Sequence, residues 1–269
     1  EIVTHLVRVA MTKVRITWSR DMSFEYGGIR QAAGRAIRRL MPEFESDLKE
    51  ADPALAELVD FWKQRNIEKL TELLKTGKGT AGQVQIEKGI PEMAAFALGD
   101  IQTPEARNIL FQTILDGKTQ LDTQWAIADA IALLDPEEVM NQVILKLIPT
   151  LEELEKPGLK VTATPNKRWH EMVIYLVGQL RTPEQRTLKF VESFLDDPGA
   201  GFGLKARSML ALAYLHQEKF KKAFEDAALG NFQSINLDKK LWTKASEYLK
   251  IKAIEALSEI GDADSLKRI

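Results

Sequence analysis

Two short stretches of this chain repeat one another, and that repetition restricts the possible folds more than any other feature. Ala97-Leu98-Gly99-Asp100-Ile101-Gln102-Thr103-Pro104-Glu105 is matched, 79 positions on (178 − 99), by Leu176-Val177-Gly178-Gln179-Leu180-Arg181-Thr182-Pro183-Glu184. In each, an apolar run ends, a Thr-Pro pair follows, and a glutamate comes next. Threonine is a good helix N-cap and proline is tolerated at the first helical position. Each stretch therefore predicts the end of one helix, a tight turn and the capped start of another.

This two-helix unit recurs with drift from Pro91 onward. Met93, Ala94, Ala97, Leu98 and Ile101 share one helical face, and Ala106, Ile109, Leu110 and Ile114 face back from a second helix that runs to about Leu115. Asp135-Pro136-Glu137-Glu138 makes the next turn, with Asp135 as cap and Glu138 at the third helical position. Thr182-Pro183-Glu184-Gln185 makes another on the same plan. Leu210–Leu215 leads into a fourth unit, and Ala256–Asp262 into a fifth. Aligning Leu98, Ala130, Val177, Leu212 and Leu257 gives steps of about 32 to 47 residues, which bracket the 40–47 of some helical repeats. The longer steps carry insertions at 155–167, where Pro157, Gly158 and Pro165 oppose helix, and at 229–238, where Gly230 is a helix stop.

Residues 1–90 are less regular and are read as an irregular helical N-terminal part, with the regular repeats over 91–269. Ile2, Val3, Leu6, Val7, Val9, Ala10 and Val14 suit a helix, and their β-branched content leaves a strand open. Ile29, Ala32, Ala33, Ala36, Ile37 and Leu40 form one apolar stripe, with Arg30, Arg35, Arg38 and Arg39 on the other side. Two helices are expected at about 53–63 and 66–76, the first opened by Asp52-Pro53. Gly77, Gly79, Gly82 and Gly89 mark a flexible connection before the regular part.

Composition excludes several classes. The net charge is −2, so no global field draws nucleic acid or anionic lipid. There is no cysteine, hence no disulfide, thiolate nucleophile or cysteine-based zinc site, which fits a cytoplasmic setting. No apolar run reaches the ~18 residues of a membrane span, and no signal-peptide pattern is present. Glu1 in place of Met predicts a longer parent protein or a trimmed chain.

At Ala94, Ala97-Leu98-Gly99-Asp100-Ile101 and Pro104-Glu105-Ala106 the chain resembles HEAT repeats, most closely the short HEAT-like repeat named after phycobilisome lyases. The resemblance covers about 91–269 and reaches 29–76 loosely. Ile131, Ala213 and Ser258 stand where the turn-proximal glycine would be in other units. Residues 206–229 are also similar to a tetratricopeptide unit through Ala211, Tyr214, Phe220, Ala223 and Glu225, but its period does not persist. The resemblance implies an all-α fold: an α-solenoid of stacked antiparallel helix pairs, used for protein–protein contact, as a scaffold or as a sensor of a larger intracellular protein. It also admits a nucleic-acid-binding protein similar to HEAT-type DNA glycosylases, and a bilin lyase or chaperone-like subunit.

No convergent catalytic set emerges, so a non-enzymatic module without cofactor or metal is expected. His5, His170 and His216 share no metal-ligand spacing, and His170 is read as a helix-surface histidine. Gly77-Lys78-Gly79-Thr80 lacks the phosphate-loop pattern, and Gly199-Ala200-Gly201-Phe202-Gly203 lacks its strand, so both are read as turns. Trp125 and Asp129 share a helix side, as in a base-reading pocket, yet packing explains Trp125 better. Glu152, Glu153 and Glu155 read as a solvated helix end. The arginines Arg30, Arg35, Arg38 and Arg39 form a weak anion-binding candidate, offset by the acidic stretch after them.

Second helices commonly line the concave face of HEAT arrays. Their polar residues Arg107, Asn108, Gln112, Asn141, Arg186, Lys189, Glu192 and Lys222 are the protein-binding candidates. Mixed charge there suits a protein or peptide partner better than a phosphate polymer.

Overall fold

The computed structural model describes residues 53–76, 89–156, 158–163, 169–260 and 267, which are all helix, turn and connecting segment, with no strand among them. The fold is all-α. The apolar periodicity dictates this: every long element repeats near 3.6 and none alternates. The chain divides into two compact units between Asp135 and Pro136.

The first unit contains α1 (Pro53–Lys63), α2 (Ile67–Thr76), α3 (Ile90–Ile101), α4 (Pro104–Asp116) and α5 (Leu121–Ile131). The helices expected at 53–63 and 66–76 are present. Helix α3 is buried nearly all round, from Ile90 to Ile101 with only Pro91 and Asp100 partly open. It packs against α1, α2, α4 and α5. Gly99 explains how α5 comes so close: a Cβ there would lie 2.9 Å from Ala130 Cβ. Gln102 then takes a left-handed conformation (φ 58°), and Thr103 Oγ1 accepts the Ala106 N–H at 3.3 Å to cap α4, as its sequence predicts. Gly117 (φ 63°) ends α4. Trp62 on α1 is buried and donates from Nε1 to Asp100 Oδ2 at 3.1 Å, so its ring fills the core while its N–H is satisfied.

The second unit begins with α6 (Pro136–Val139), a π-helical turn (Met140–Ile144) and α7 (Leu145–Leu147). A short α8 (Leu151–Leu154) follows, then α9 (His170–Leu180), α10 (Gln185–Asp196), α11 (Phe202–Tyr214), α12 (Lys221–Ala228) and α13 (Trp242–Ile260). Helix α9 packs on α11 and α11 on α13, while α10 packs on α11 and α12 on α13. Gly178 repeats the role of Gly99. A Cβ there would lie 3.2 Å from both Ala211 Cα and Tyr214 Cδ2 of α11. Arg181 repeats the role of Gln102, with φ 51°.

The second turn departs from its sequence plan. Helix α10 starts at Gln185, not Pro183, and Glu184 is its cap, accepting the Thr187 N–H at 2.9 Å. Thr182 Oγ1 instead donates to Leu180 O at 3.1 Å. Glutamate can replace the threonine because any side-chain oxygen that reaches the second or third free N–H satisfies it. In the 155–167 insertion, Val161–Ala163 form a single 3₁₀ turn, and Gly230 (φ 86°) ends the turn after α12. The glycine connection at 77–88, the apolar stripe at 29–40 and the rest of residues 1–52 lie outside the described residues.

Replacing Gly99 by alanine should gain up to about 1 kcal/mol of helix propensity yet lose about 1–3 kcal/mol to overpacking, a net loss seen as a lower Tm. Because the nearest atom is the Ala130 Cβ, Ala130→Gly should restore part of that loss in the double variant. At Gly178 the nearest atoms are the Ala211 Cα and Tyr214 Cδ2, neither of which Ala211→Gly removes, so that change should restore little.

Candidate functional site

In the first unit an open groove of about 1200 Å³ runs along the outer side of α4. Glu105, Asn108, Ile109, Gln112 and Asp116 line it at intervals of three and four residues, so they form one stripe down the helix. Lys75, in the last turn of α2, adds a wall, and Lys118 and Thr119 close the end beyond α4. The other side of α4, with Ala106, Leu110, Phe111 and Ile114, is buried. Its amphipathic pattern thus decides which residues face the groove.

The electrostatics are mixed. Lys118 Nζ lies 3.0 Å from Asp116 Oδ1. Glu105 and Lys75 have no ion-pair partner among the described residues, and the carboxamides of Asn108 and Gln112 make no internal hydrogen bond there. Ile109 and Leu115 supply apolar surface between these polar groups. The arrangement offers donors, acceptors, one unpaired charge of each sign and a hydrophobic strip.

The candidate residues are distributed as follows. Asn108 and Gln112 line the groove, while the neighbouring Arg107 is half-buried and does not. Asn141 is exposed in the π-helical turn. Arg186 is committed to structure: Nε donates to Pro149 O at 2.6 Å, and Nη2 donates to Leu145 O at 2.9 Å and to Ile148 O. It caps the carbonyls that α7 leaves open. Lys189 is exposed on α10, and Glu192 pairs with Lys219 at 2.5 Å. Lys222 pairs with Asp226 one turn on, at 2.7 Å. Trp125 and Asp129 are half-buried on α5. Arg30, Arg35, Arg38 and Arg39 lie outside the described residues.

His170 corrects its sequence reading. It is buried, not on the helix surface, with its ring edge-on to Phe190 and Phe194 at centroid separations of 5.7 and 5.0 Å. Burial pushes its pKa down to about 4, so it is neutral at pH 7. Gly199–Gly201 lie in the α10–α11 turn, as expected, but Phe202 and Gly203 already belong to the first turn of α11. Glu152, Glu153 and Glu155 are exposed, and Glu153 completes a capping box with Thr150. The hydrogen bonds from Thr150 hold the Glu153 carboxyl below its usual range.

Nothing in the sequence marks Lys205, the most unusual cation described. It is fully buried, and Nζ donates to Phe194, Leu195 and Asp197 carbonyls, each at 3.0 Å. The first two are open carbonyls at the end of α10, while Asp197 O also accepts the Ala200 N–H at 3.0 Å. Burial lowers its pKa to about 8, against the opposing charges of Asp197 and Asp196. The Asp197 carboxylate accepts the Thr162 N–H at 3.1 Å, the Thr162 hydroxyl at 2.7 Å and the Gly199 N–H at 2.8 Å. Burial alone would raise its pKa; these bonds and Lys205 outweigh it and hold it below normal. With its ammonium fully spent and no exposed surface, Lys205 is a helix cap. Groove residues such as Glu105 and Lys75 carry an equally faint signal, since first-turn acids and last-turn bases are common helix features.

Lys205→Met should leave the Phe194 and Leu195 carbonyls unpaired, Asp197 O keeping the Ala200 N–H, and cost about 1–3 kcal/mol, read as a shift in the denaturant midpoint. His170 gives a pH test. Its folded pKa of about 4 lies below its ordinary 6.5, so the unfolded chain binds more protons between those values. Stability is therefore lost as pH falls from 6.5 toward 4, by on the order of 3 kcal/mol. In His170→Leu that component should vanish, and the wild-type-minus-variant difference should track this window alone.

Among the described residues no three His, Asp or Glu side chains converge as a metal site, and no helix is long and apolar enough to cross a membrane. No protein-family model, no curated protein and no solved structure matches this chain.

Proposed function

We propose that this chain is a HEAT-like α-solenoid module of a cytoplasmic protein that binds another protein, and that it performs no catalysis of its own. The observation that carries this reading is the groove on α4, where Lys75, Glu105, Asn108 and Gln112 make no side-chain hydrogen bond or ion pair among the described residues. The buried first helices support it too. Helices α3, α9 and α11 are covered almost all round, so each needs neighbours on several sides, as in a stack of incomplete hairpins. The repeated Gly–Ala approach, at Gly99–Ala130 and Gly178–Ala211, supports the same stacking rule in both units. Second helices α4 and α10 keep one polar face outward, and that is the face left for a partner. Mixed charge in the groove favours a protein over DNA or RNA, whose phosphates would meet Glu105 and Asp116.

A photo-crosslinking amino acid placed at Gln112 tests the reading, with the same group at exposed Glu155 as control. The expected result is a discrete set of protein adducts from position 112 that is absent from position 155. Equal labelling from both positions, or adducts with nucleic acid alone, would overturn it.

A further inference from the structure

We infer that the occupant of the α4 groove is an extended peptide segment, gripped through its backbone by Asn108 and Gln112 and selected by a basic side chain at Glu105 and an acidic one at Lys75. This inference rests on the protein-binding reading and names the form of the partner. The geometry carries the first part. Asn108 and Gln112 are four residues apart on one helix face, which separates them by about 6 Å along the axis. An extended chain repeats every two residues, about 6.6 Å. Two carboxamides at this spacing meet equivalent backbone groups on alternate residues. Each carboxamide carries both donors and an acceptor, so each can serve a peptide N–H and C=O together. A helical partner would present no free backbone groups to them.

The length agrees. Glu105 to Asp116 spans eleven residues, about 16 Å, which is the reach of roughly five extended residues. Ile109 and Leu115 give that segment apolar surface to cover. Charge complementarity supplies the selectivity. Asp116 and Lys118 neutralise each other at 3.0 Å, so Glu105 and Lys75 are the two charges left for a ligand. One asks for a cation and the other for an anion, at separate places along the same segment.

The probe is a positional-scanning library of end-blocked hexapeptides, read by binding to the intact protein. The expected profile shows a basic preference at one position and an acidic preference at another, with broad tolerance between them. Glu105→Lys should turn the basic preference acidic and leave the other unchanged, and Lys75→Glu should do the converse. Asn108→Ala and Gln112→Ala should each weaken all peptides about fivefold without changing the profile. Backbone N-methylation of the best peptide should abolish binding. All four residues are exposed or at helix ends, and unchanged circular dichroism checks that the variants fold. A flat profile, charge swaps without effect, or undiminished binding of the N-methylated peptide would overturn the inference. If adducts at position 112 persist while the library profile is flat, the peptide form fails and the protein-binding reading stands.

Discussion

The structure depends on how closely one buried helix can approach the next. At Gly99 the missing side chain lets α5 settle against α3 at a distance that even one methyl group would disturb. At Gly178 the same omission lets α11 meet α9, this time against the partner's backbone. Helices this close cannot shift independently, because a packed interior has little slack. The residues around each contact are small or aliphatic: Ala94, Ala95, Ala97 and Leu98 on α3, and Leu210, Ala211, Leu212 and Ala213 on α11, all buried. That packing consumes the first helices and leaves the second ones only half covered. What the molecule can offer a ligand follows from that division.

Much of this was legible in the sequence, and the reason is periodicity. The Leu98-Gly99 and Val177-Gly178 pairs, the Thr-Pro signals and the alanine-rich runs each reflect a local rule, so helices at 53–63, 67–76 and 104–116 fell where those rules put them. The failures were contextual. Thr182 is followed by Pro-Glu as Thr103 is, yet Glu184 caps the helix by accepting the Thr187 N–H while the Thr182 hydroxyl donates to Leu180 O. His170 reads as a helix-surface histidine, but Phe190 and Phe194, one turn apart on α10, enclose it. Lys205 could not have been found, because its partners are carbonyls, which every residue carries. Of the polar second-helix residues singled out in the sequence, Asn108 and Gln112 line the groove, whereas Arg186, chosen by the same logic, is spent on the end of α7.

The contrast between Arg186 and Asn108 carries the functional argument. Both are polar residues on second helices. Arg186 meets three carbonyls of its own chain, and so holds α7 and α10 together. The Asn108 and Gln112 carboxamides make no hydrogen bond with the described residues and line an open groove. Fold stability explains the first and leaves the second without a structural task. A side chain that is polar, ordered on a helix and unspent is the kind that a partner can use.

Amide hydrogen exchange, followed helix by helix, tests the central claim most directly. If buried first helices in close contact hold each unit together, α3 in the first unit and α9 and α11 in the second should be the last to exchange, with α4 and α12 opening earlier, and Gly99→Ala should strip protection from α3 and α5 together. Protection in α4 equal to that in α3, or a Gly99→Ala variant in which α5 keeps its protection while α3 loses it, would contradict the account.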